Sequence, residues 1–404
     1  MKIRSNTAMA RPVKTAASGA MELGRLSASK LAAFGASALA VAAIAATAFA
    51  SPALAQQKDI RIGMPAPLSG ALANAGTTAR EGAQFAIDEI NAKGGVNGRK
   101  LNLIVVDDKT DPAESTQVVR QFVEADKVDV ILNAASSTGT LAHMAVTRAA
   151  GPVEVSVLAT DPKVTQGDHP YMFVAAANNT QLGEGIADYA AREKGIKKFG
   201  VMKLNEAYGQ NISKVFADRV KTYGASVTSE QAYAPDTKDF KPLLIAVADS
   251  KPDAIFLSGF ANDSGLIVKQ ARELGIDLPF FGTNPLVVPQ FAKIAGAAAD
   301  GVVVSTLYVS AGQTRPKTVA FIKAFNAKLG HDPDVYAAHA YDIVYLIAKV
   351  FGDGAGDASS IASQLRHQVN FDGVTGTINF QENGAVKKPI SIVEIKGGRP
   401  VLIR

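Results

Sequence analysis

Two short segments of the sequence carry small hydroxylated side chains of the kind that bind an anion. They are Ala134–Gly139, with the sequence Ala-Ala-Ser-Ser-Thr-Gly, and Ala159–Pro162, with the sequence Ala-Thr-Asp-Pro. Each follows an apolar run with the pattern of a buried strand, and the first opens a stretch with helical periodicity. Because the first N–H groups of a helix lack intrahelical partners, they bind anions together with nearby hydroxyls. The segments therefore predict a carboxylate site with Ser136 and Thr160 as hydroxyl donors.

Helix capping is the alternative role for several of these polar side chains. Ser137 or Thr138 is an equally suitable N-cap for the helix that opens there, since Ser and Thr are favoured at that position. Asp107, Asp108 and Asp111 resemble the start of a calcium loop, but the glycine and the closing glutamate of such a loop are absent. We therefore expect Asp111 to cap the helix that follows it.

Sequence signatures of enzymes and metal sites are missing. The chain has no G-x-G-x-x-G after a strand, no P-loop, no G-x-S-x-G and no H-E-x-x-H. The five histidines lie without the spacing of metal ligands, at His143, His169, His331, His339 and His367. We expect no enzyme activity, no metal and no cofactor, although a catalytic triad is defined by geometry and escapes a sequence scan.

Alternating strand and helix patterns position the two hydroxylated segments. Between Asp59–Pro65 and Val153–Ala159, four apolar strands alternate with amphipathic helices, the first of which covers Thr78–Lys93. The alternation restarts after Asn179 and ends in a β-rich tail with a hairpin signal at Glu382-Asn383-Gly384. Short apolar strands between helices predict parallel sheets that are covered on both faces.

The N-terminal segment has the pattern of an export signal. Basic residues precede an uncharged apolar stretch over Leu31–Ala50 and a small-x-small cleavage site at Ala53-Leu54-Ala55. An uncleaved anchor is the alternative, since the stretch approaches the roughly 20 residues that span a bilayer. We expect residues 1–55 to be removed as a signal peptide on export to the periplasm, whether synthesis starts at Met1 or at Met21.

Removing that segment changes the charge of the chain. The full sequence has a formal net charge of +5, but the leader holds six of the 42 Lys and Arg and one of the 37 Asp and Glu. The remaining 349 residues have 36 basic and 36 acidic side chains, so their formal net charge is zero. A neutral chain gives no indication of a nucleic acid partner. Its length exceeds the size at which one hydrophobic core stops growing, which predicts two lobes.

Several blocks of the sequence carry a resemblance to a known family. The most specific is Ile90–Leu101, with the sequence INAKGGVNGRKL. The others are Pro65–Gly70, Gly82-Ala83, Asp107-Asp108 with Asp111-Pro112, Ser136-Ser137, Ala159-Thr160, Tyr208-Gly209 and Gln270–Gly275. With these blocks the chain resembles the leucine/isoleucine/valine-binding family of periplasmic binding proteins over essentially its whole mature length.

The resemblance implies an α/β fold of two doubly wound parallel-sheet lobes, joined by three crossovers, that trap a solute without chemistry. We expect the crossovers near Ala175–Asn178, Thr306–Val309 and Phe380–Lys387. The first lobe then comprises residues 56–177 and 308–383, and the second lobe comprises residues 178–307 and 384–404.

The family's ligand residues carry over onto the two hydroxylated segments of the first lobe. The resemblance implies that the hydroxyls of Ser136 and Thr160 hold the ligand carboxylate, in a turn that also contains Ser137. It also implies that Ala135 and Ala159 allow close approach of the backbone to the ligand.

In the second lobe the resemblance implies two aromatic ligand residues and one departure from the family pattern. Tyr208 and Phe260 fall where the family places aromatics at the cleft, although ordinary core packing is the alternative for both. Asn284 falls where amino-acid binders place a glutamate that meets the ligand ammonium. A neutral amide cannot match a buried cation, so either Asp263 or Glu206 substitutes for that glutamate or the ligand lacks an ammonium group.

A second departure lies in the first loop, where Ala75 replaces an aromatic residue that leucine binders often have. The smaller side chain leaves room for a bulkier ligand. The resemblance therefore implies a branched-chain or other hydrophobic amino acid as the ligand, with an aromatic or aliphatic carboxylate, a keto acid or an amide as the alternative.

These expectations describe a monomeric solute-binding component of an ABC importer, which closes about its hinges and is recognised by an inner-membrane permease. A ligand-sensing module for a receptor has the same fold and is one alternative. The lack of a fused kinase or membrane segment favours the transport component. An exported α/β hydrolase is the other alternative, which turnover of an ester or amide would support.

Overall fold

Two large β-sheets organise residues 58–367 and 371–404, which are the residues described by the structure, a computed structural model. The predicted signal peptide, residues 1–55, lies outside the described residues. Within them, no helix is long and apolar enough to cross a membrane.

Strands and helices alternate along the chain, as the sequence predicts. The first part contains β1 (Ile60–Ala66), α1 (Ala73–Ala92), β2 (Leu101–Asp107), α2 (Pro112–Gln121), β3 (Val130–Asn133), α3 (Ser137–Thr147), β4 (Val153–Ser156), β5 (Met172–Val174) and α4 (Asn179–Ala187). The middle part contains β6 (Lys198–Leu204), α5 (Ala207–Lys221), β7 (Ser226–Tyr233), α6 (Lys241–Asp249), β8 (Ala254–Ser258), α7 (Ala261–Glu273), β9 (Phe280–Thr283), α8 (Pro289–Ala295) and β10 (Val303–Thr306). The last part contains α9 (Pro316–Leu329), α10 (Val335–Gly352), α11 (Ala358–His367), β11 (Phe371–Gly373), β12 (Gly376–Ile378), β13 (Ser391–Lys396) and β14 (Arg399–Leu402).

The two sheets share one winding order. The first sheet has five parallel strands in the order β2-β1-β3-β4-β5. The second sheet repeats this order in β7-β6-β8-β9-β10, and the antiparallel strands β13 and β14 extend it beyond β10. The predicted α/β fold of two doubly wound sheets is therefore confirmed, with an antiparallel edge on the second sheet. Ligands bind such sheets outside the carboxyl ends of the strands.

The chain passes between the two sheets three times. It leaves the first sheet after β5, returns after β10 to helices that pack on the first sheet, and enters the second sheet again at β13. The predicted crossover segments Ala175–Asn178, Thr306–Val309 and Phe380–Lys387 fall at these three passages, the second of them beginning on the last residue of β10. The lobe boundaries drawn from the sequence stay a prediction.

Local sequence sets where the helices begin. Asp111 caps α2, since its carboxylate accepts the N–H groups of Ala113 and Glu114 at 2.8 and 2.9 Å, which confirms its predicted role. Asp334 caps α10 in the same way and accepts the N–H groups of Tyr336 and Ala337 at 3.0 and 2.9 Å. An acidic N-cap also stabilises the helix through its dipole.

A glycine brings α10 close to α1. A Cβ on Gly82 would lie 2.0 Å from the carbonyl oxygen of Ala337, so only glycine fits at this contact. The contact holds the first turns of α10 against α1. Tyr336 and His339, which lie in those turns, are thereby fixed in place.

Candidate functional site

A cavity of about 500 Å³, including solvent at its mouth, lies where the carboxyl ends of the two sheets meet. Its lining comes from segments that follow strands of both sheets and from the first turns of α10. The structure brings together six predicted ligand residues in this lining: Ser136, Ser137, Thr160, Tyr208, Phe260 and Asn284. Their contact with a ligand stays a prediction, but they share the position at which this architecture binds ligands.

Hydroxyl and N–H donors line one end of this main cavity. Ser136 caps α3, because its hydroxyl oxygen accepts the N–H of Gly139 at 3.0 Å. The hydroxyl oxygen of Ser137 accepts the N–H groups of Thr160 and Asp161 at 3.2 and 3.3 Å. Both oxygens act as acceptors within the protein, so both hydroxyl hydrogens remain for donation. Together with the positive end of the α3 dipole, they suit a carboxylate.

Thr160 is tied to the beginning of α4. Its hydroxyl donates to the side-chain oxygen of Asn179 at 2.7 Å, and its carbonyl accepts the backbone N–H of Asn179 at 2.8 Å. Because a hydroxyl has one hydrogen, Thr160 in this rotamer offers the cavity an acceptor and no donor. The two serines are therefore the better placed carboxylate donors.

A buried chain of polar groups lies behind these donors. Oγ of Ser115 is 2.9 Å from Nδ1 of His143, and Nε2 of His143 is 2.8 Å from a carboxylate oxygen of Glu154. The order of the groups is that of a catalytic triad. All three residues are 0% exposed, so no substrate reaches the serine.

Asn133 connects this polar chain to the turn before Ser136. Its amide nitrogen donates to Glu154 at 3.0 Å, and its amide oxygen accepts the N–H of Ala135 at 2.9 Å. The N–H of Ala159 is held similarly by Oγ of Ser156 at 3.1 Å. Ala135 and Ala159 are fully buried and do not line the main cavity. No contact in the structure supports their predicted part in ligand binding.

Two aromatic rings form a wall of the main cavity. The ring centroids of Tyr208 and Phe260 are 5.5 Å apart and the rings are inclined by 19°, which is a stacked arrangement. The hydroxyl of Tyr208 lies 2.5 Å from Oγ1 of Thr283, at the end of β9. Both rings line the cavity and also pack on each other. Ligand contact and core packing are therefore compatible roles for these two side chains.

The orientation of the Asn284 amide follows from its backbone partner. Its side-chain oxygen accepts the backbone N–H of Leu307 at 3.2 Å. The N–H of Leu307 needs an acceptor, so the oxygen is held there and the amide nitrogen remains for the cavity. Asn284 therefore meets a ligand as a hydrogen-bond donor.

Acidic side chains are absent from the lining of the main cavity, within the residues that the structure describes. Glu206 and Asp263 line a neighbouring cavity that borders Phe260. Burial raises the pKa of Glu206 to about 7 and that of Asp263 to about 6. Asp263 also accepts the hydroxyl of Tyr233 at 2.5 Å. Neither carboxylate lines the main cavity, so neither takes the place of the glutamate that amino-acid binders have at the position of Asn284.

A smaller side cavity adjoins the main one beside Ala75. Both cavities are lined by Leu72, Pro285 and Tyr336, and the side cavity has about 250 Å³ of empty volume, which includes solvent at its mouth. The amide nitrogen of Asn74, which also lines it, is buried without a hydrogen-bond partner. Ala75 lines this side cavity, and its use by a bulkier ligand stays a prediction.

Comparison with known proteins identifies the family. Residues 59–399 match the family model of the periplasmic binding proteins. The chain belongs to this family. The resemblance noted from the sequence is thus confirmed.

Relatives of this periplasmic binding protein bind different solutes. The leucine-, isoleucine-, valine-, threonine- and alanine-binding protein of Pseudomonas aeruginosa is 28% identical over 81% of this chain and 87% of its own length. The branched-chain amino acid transporter substrate-binding protein LivJ of Streptococcus pneumoniae, solved with isoleucine, is 30% identical, with a TM-score of 0.79 over 85% of this chain and 99% of its own. A solute-binding protein of an ABC transporter from R. palustris, solved with benzoate, shares the fold at 22% identity, with a TM-score of 0.79 over 85% and 95% of the two chains. The relatives are solute-binding proteins rather than enzymes.

Sequence reasoning missed the part of the site that α10 supplies. Val335, Tyr336 and His339 line the main cavity of this periplasmic binding protein. Most of α10 is buried, so its apolar pattern does not indicate which face meets the cavity. Tyr336 and His339, a polar aromatic and a titratable residue in its first turns, were the features of the sequence that could have indicated the contact with the cavity. No group of three or more His, Asp or Glu among the described residues is placed to hold a metal.

Proposed function

We propose that this protein is the extracytoplasmic solute-binding component of an ABC importer, and that its solute is a small hydrophobic carboxylate without a charged amino group. The main cavity carries this proposal. It has donors at one end, aromatic and apolar walls and an amide donor at Asn284, and none of the described residues that line it is acidic.

The carboxylate end of the solute fits the first turn of α3. The hydroxyls of Ser136 and Ser137 keep a hydrogen for donation, and α3 offers its unpaired N–H groups at the same place. Hydrogen bonds to a charged acceptor contribute about 1.5–3 kcal/mol each. Two or three such bonds give this end of the cavity its preference for an anion.

An ammonium group meets no side chain of opposite charge among the described residues that line the main cavity. Asn284 would turn its NH2 group toward the cation, and His339 has a pKa held well below its usual value by burial, so it is neutral. Burying an unpaired charge costs several kcal/mol. The site therefore favours a solute that carries only the carboxylate charge.

Closure of the two lobes around the solute couples binding to transport. Both lobes line the main cavity, and bonds already join them near it: Thr138 accepts the N–H of Ala207 at 3.1 Å, and Asn262 donates to the carbonyl of Ala71 at 3.2 Å. A solute that contacts both lobes stabilises the closed form. That form is the one that an inner-membrane permease would recognise.

A hydrophobic amino acid is the second candidate solute. It is favoured by the P. aeruginosa relative, which is named for five amino acids, and by the S. pneumoniae relative, whose structure holds isoleucine. The fold itself accommodates either kind of solute, since the R. palustris protein holds benzoate. In this case Glu206 would have to move toward the cavity to pair with the ammonium.

Three ligands with one carbon skeleton separate the candidates. Leucine, 4-methyl-2-oxopentanoate and 4-methylpentanoate differ only in the group at the α-carbon, and titration calorimetry measures the affinity of each. We expect both acids to bind and leucine to bind at least about tenfold more weakly, which corresponds to about 1.4 kcal/mol. Tight binding of leucine with no binding of the acids would establish the second candidate. A thermal-shift screen that adds 3-phenylpropanoate, phenylpyruvate and benzoate extends the test to bulkier acids.

A further inference from the structure

Lys388 is a buried lysine directly after the third predicted crossover. It lies between β12 and β13 and is 4% exposed, whereas its neighbour Lys387 is exposed. Its backbone carbonyl accepts the side-chain amide of Gln181, at the start of α4, at 3.1 Å. Lysine is rarely buried to this degree without a partner of opposite charge. The groups around its ammonium therefore determine whether the charge is stable there.

The ammonium of Lys388 connects a carboxylate to the lining of the main cavity. Its nitrogen donates to Oγ1 of Thr375 at 2.7 Å, and that hydroxyl donates to Asp342 at 2.6 Å. Asp342 also accepts two backbone N–H groups, from Val374 at 2.6 Å and from Thr375 at 2.9 Å. The carboxylate is thus shared among several donors, and Lys388 reaches it only through a hydroxyl.

On its other side Lys388 lies 3.4 Å from Nε2 of His339. Nδ1 of His339 is 2.7 Å from the carbonyl oxygen of Val335, and a carbonyl can only accept, so Nδ1 carries the proton. Nε2 is then the acceptor for the ammonium of Lys388. Because His339 lines the main cavity, one imidazole ring separates the positive charge from the solute.

We propose that Lys388 selects the charge of the solute, acting through His339 to favour a net negative ligand over a zwitterion in the closed cleft. This inference rests on the proposed function, since it concerns the same cavity. It supplies the positive charge that the neutral lining itself lacks. Lys388 is a positioning residue here, because it does not line the cavity.

The ionisation of Lys388 makes this role measurable. Its pKa is lowered to about 8, chiefly by burial, which the carboxylate of Asp342 opposes and the nearby charge of Arg315 reinforces. His339 is neutral in this range, because burial and Lys388 hold its pKa well below the usual value. An anion in the cavity favours the protonated lysine, so binding near pH 8 takes up a proton.

The test is titration calorimetry with 4-methyl-2-oxopentanoate and with leucine at pH 7, 8 and 9.5, in two buffers of different ionisation enthalpy. For the wild type we expect proton uptake with the keto acid at pH 8 and an affinity about tenfold lower at pH 9.5 than at pH 7, as a shift of one pKa unit requires. Lys388→Met should lose about tenfold in keto acid affinity at pH 7 and should show no proton uptake. Lys387→Met, the neighbouring exposed lysine, should behave as the wild type.

Lys388→Arg separates charge from packing. Arginine stays protonated at all three pH values, so this variant should keep its affinity at pH 9.5 and lose the proton uptake. Keto acid binding by the wild type without proton uptake, or with equal affinity in Lys388→Met, would overturn the role of Lys388 and leave the proposed function standing. Absence of keto acid binding by the wild type would instead contradict the proposed anionic solute, and the inference with it.

Discussion

The side-chain oxygen of Asn284 accepts the backbone N–H of Leu307 at 3.2 Å. Leu307 directly follows β10, at the start of the second crossover, so this bond joins the cavity lining to a segment between the two sheets. It also decides which end of the amide a solute meets. The polarity of the cavity at this position therefore depends on a backbone contact that the residue type alone does not reveal.

Asn284→Asp should reverse the preference between the two candidate solutes. The aspartate has the same shape, so one oxygen keeps the bond to Leu307 while the other replaces the amide nitrogen with a negative charge. We expect leucine to gain about ten- to a hundredfold in affinity and 4-methyl-2-oxopentanoate to lose a similar factor, as a charged hydrogen bond of about 1.5–3 kcal/mol predicts. Titration calorimetry with both ligands measures the change.

A charge outside the cavity provides the control for that exchange. Asn205→Asp adds the same charge at an exposed position of the second lobe and should leave both affinities unchanged. If Asn284→Asp left the ratio of the two affinities unaltered, the amide nitrogen of Asn284 would not face the solute.

Ser136→Ala should weaken carboxylate binding and also remove the cap of α3. Losing a hydrogen bond to the carboxylate should lower affinity for 4-methylpentanoate about tenfold or more, and losing the cap should lower the free energy of unfolding by about 1 kcal/mol. Calorimetry and chemical denaturation measure the two effects separately.

Asp357→Ala is a matched control, because Asp357 accepts the N–H of Ser360 at 2.7 Å before α11, away from the main cavity. It should lower stability and leave affinity intact. An equal loss of affinity in both variants would show that Ser136 acts only through the stability of its helix.

The sequence predicts the location of the site better than its chemistry. Strands β3 and β4 end in short hydroxylated segments, and the rule for parallel sheets places both at one edge. The sequence does not predict which of the hydroxyl groups has a hydrogen free to donate to a ligand. Asn179 takes the hydrogen of Thr160, and it lies 19 residues away at the start of α4, so no local pattern indicates the contact.

Strand length explains two elements that sequence reasoning missed. Strands β5 and β11 have three residues each, which is too short for an alternating pattern to stand out. The predicted hairpin turn is present, since Gly384 donates to Gln381 at 2.8 Å. It joins only a single antiparallel bridge between Phe380 and Val386, because the chain there crosses between the sheets.

Ala75→Phe should shorten the space available to the solute. The phenyl ring would fill the side cavity, and overpacking a filled site is destabilising. Affinity for 3-phenylpropanoate should therefore fall about tenfold or more, while affinity for the smaller 4-methylpentanoate should change by less than about threefold. Calorimetry with the two acids measures the difference. Ala73→Phe, at the start of α1 and outside both cavities, should change neither affinity. Equal losses for both acids in Ala75→Phe would show that the solute does not extend toward Ala75.

Glu206→Gln should stabilise the protein at alkaline pH and not at acidic pH. Burial raises the pKa of Glu206 from 4.5 to about 7, so the folded state holds its proton more tightly than the unfolded state does. The charge therefore costs stability, and the cost grows as pH rises from about 4.5 to about 7 and is constant above that range.

Removing the charge should raise the free energy of unfolding at pH 8 by up to about 3 kcal/mol, an upper bound because Glu206 is only partly buried. At pH 4.5 the variant and the wild type should differ little, since the carboxyl is then largely protonated in the folded state. Chemical denaturation at both pH values measures the difference. Glu124→Gln, at an exposed position of the first lobe, should have no such effect at either pH. A gain in stability that is equal at pH 4.5 and pH 8 would show that the effect arises from packing rather than from the charge.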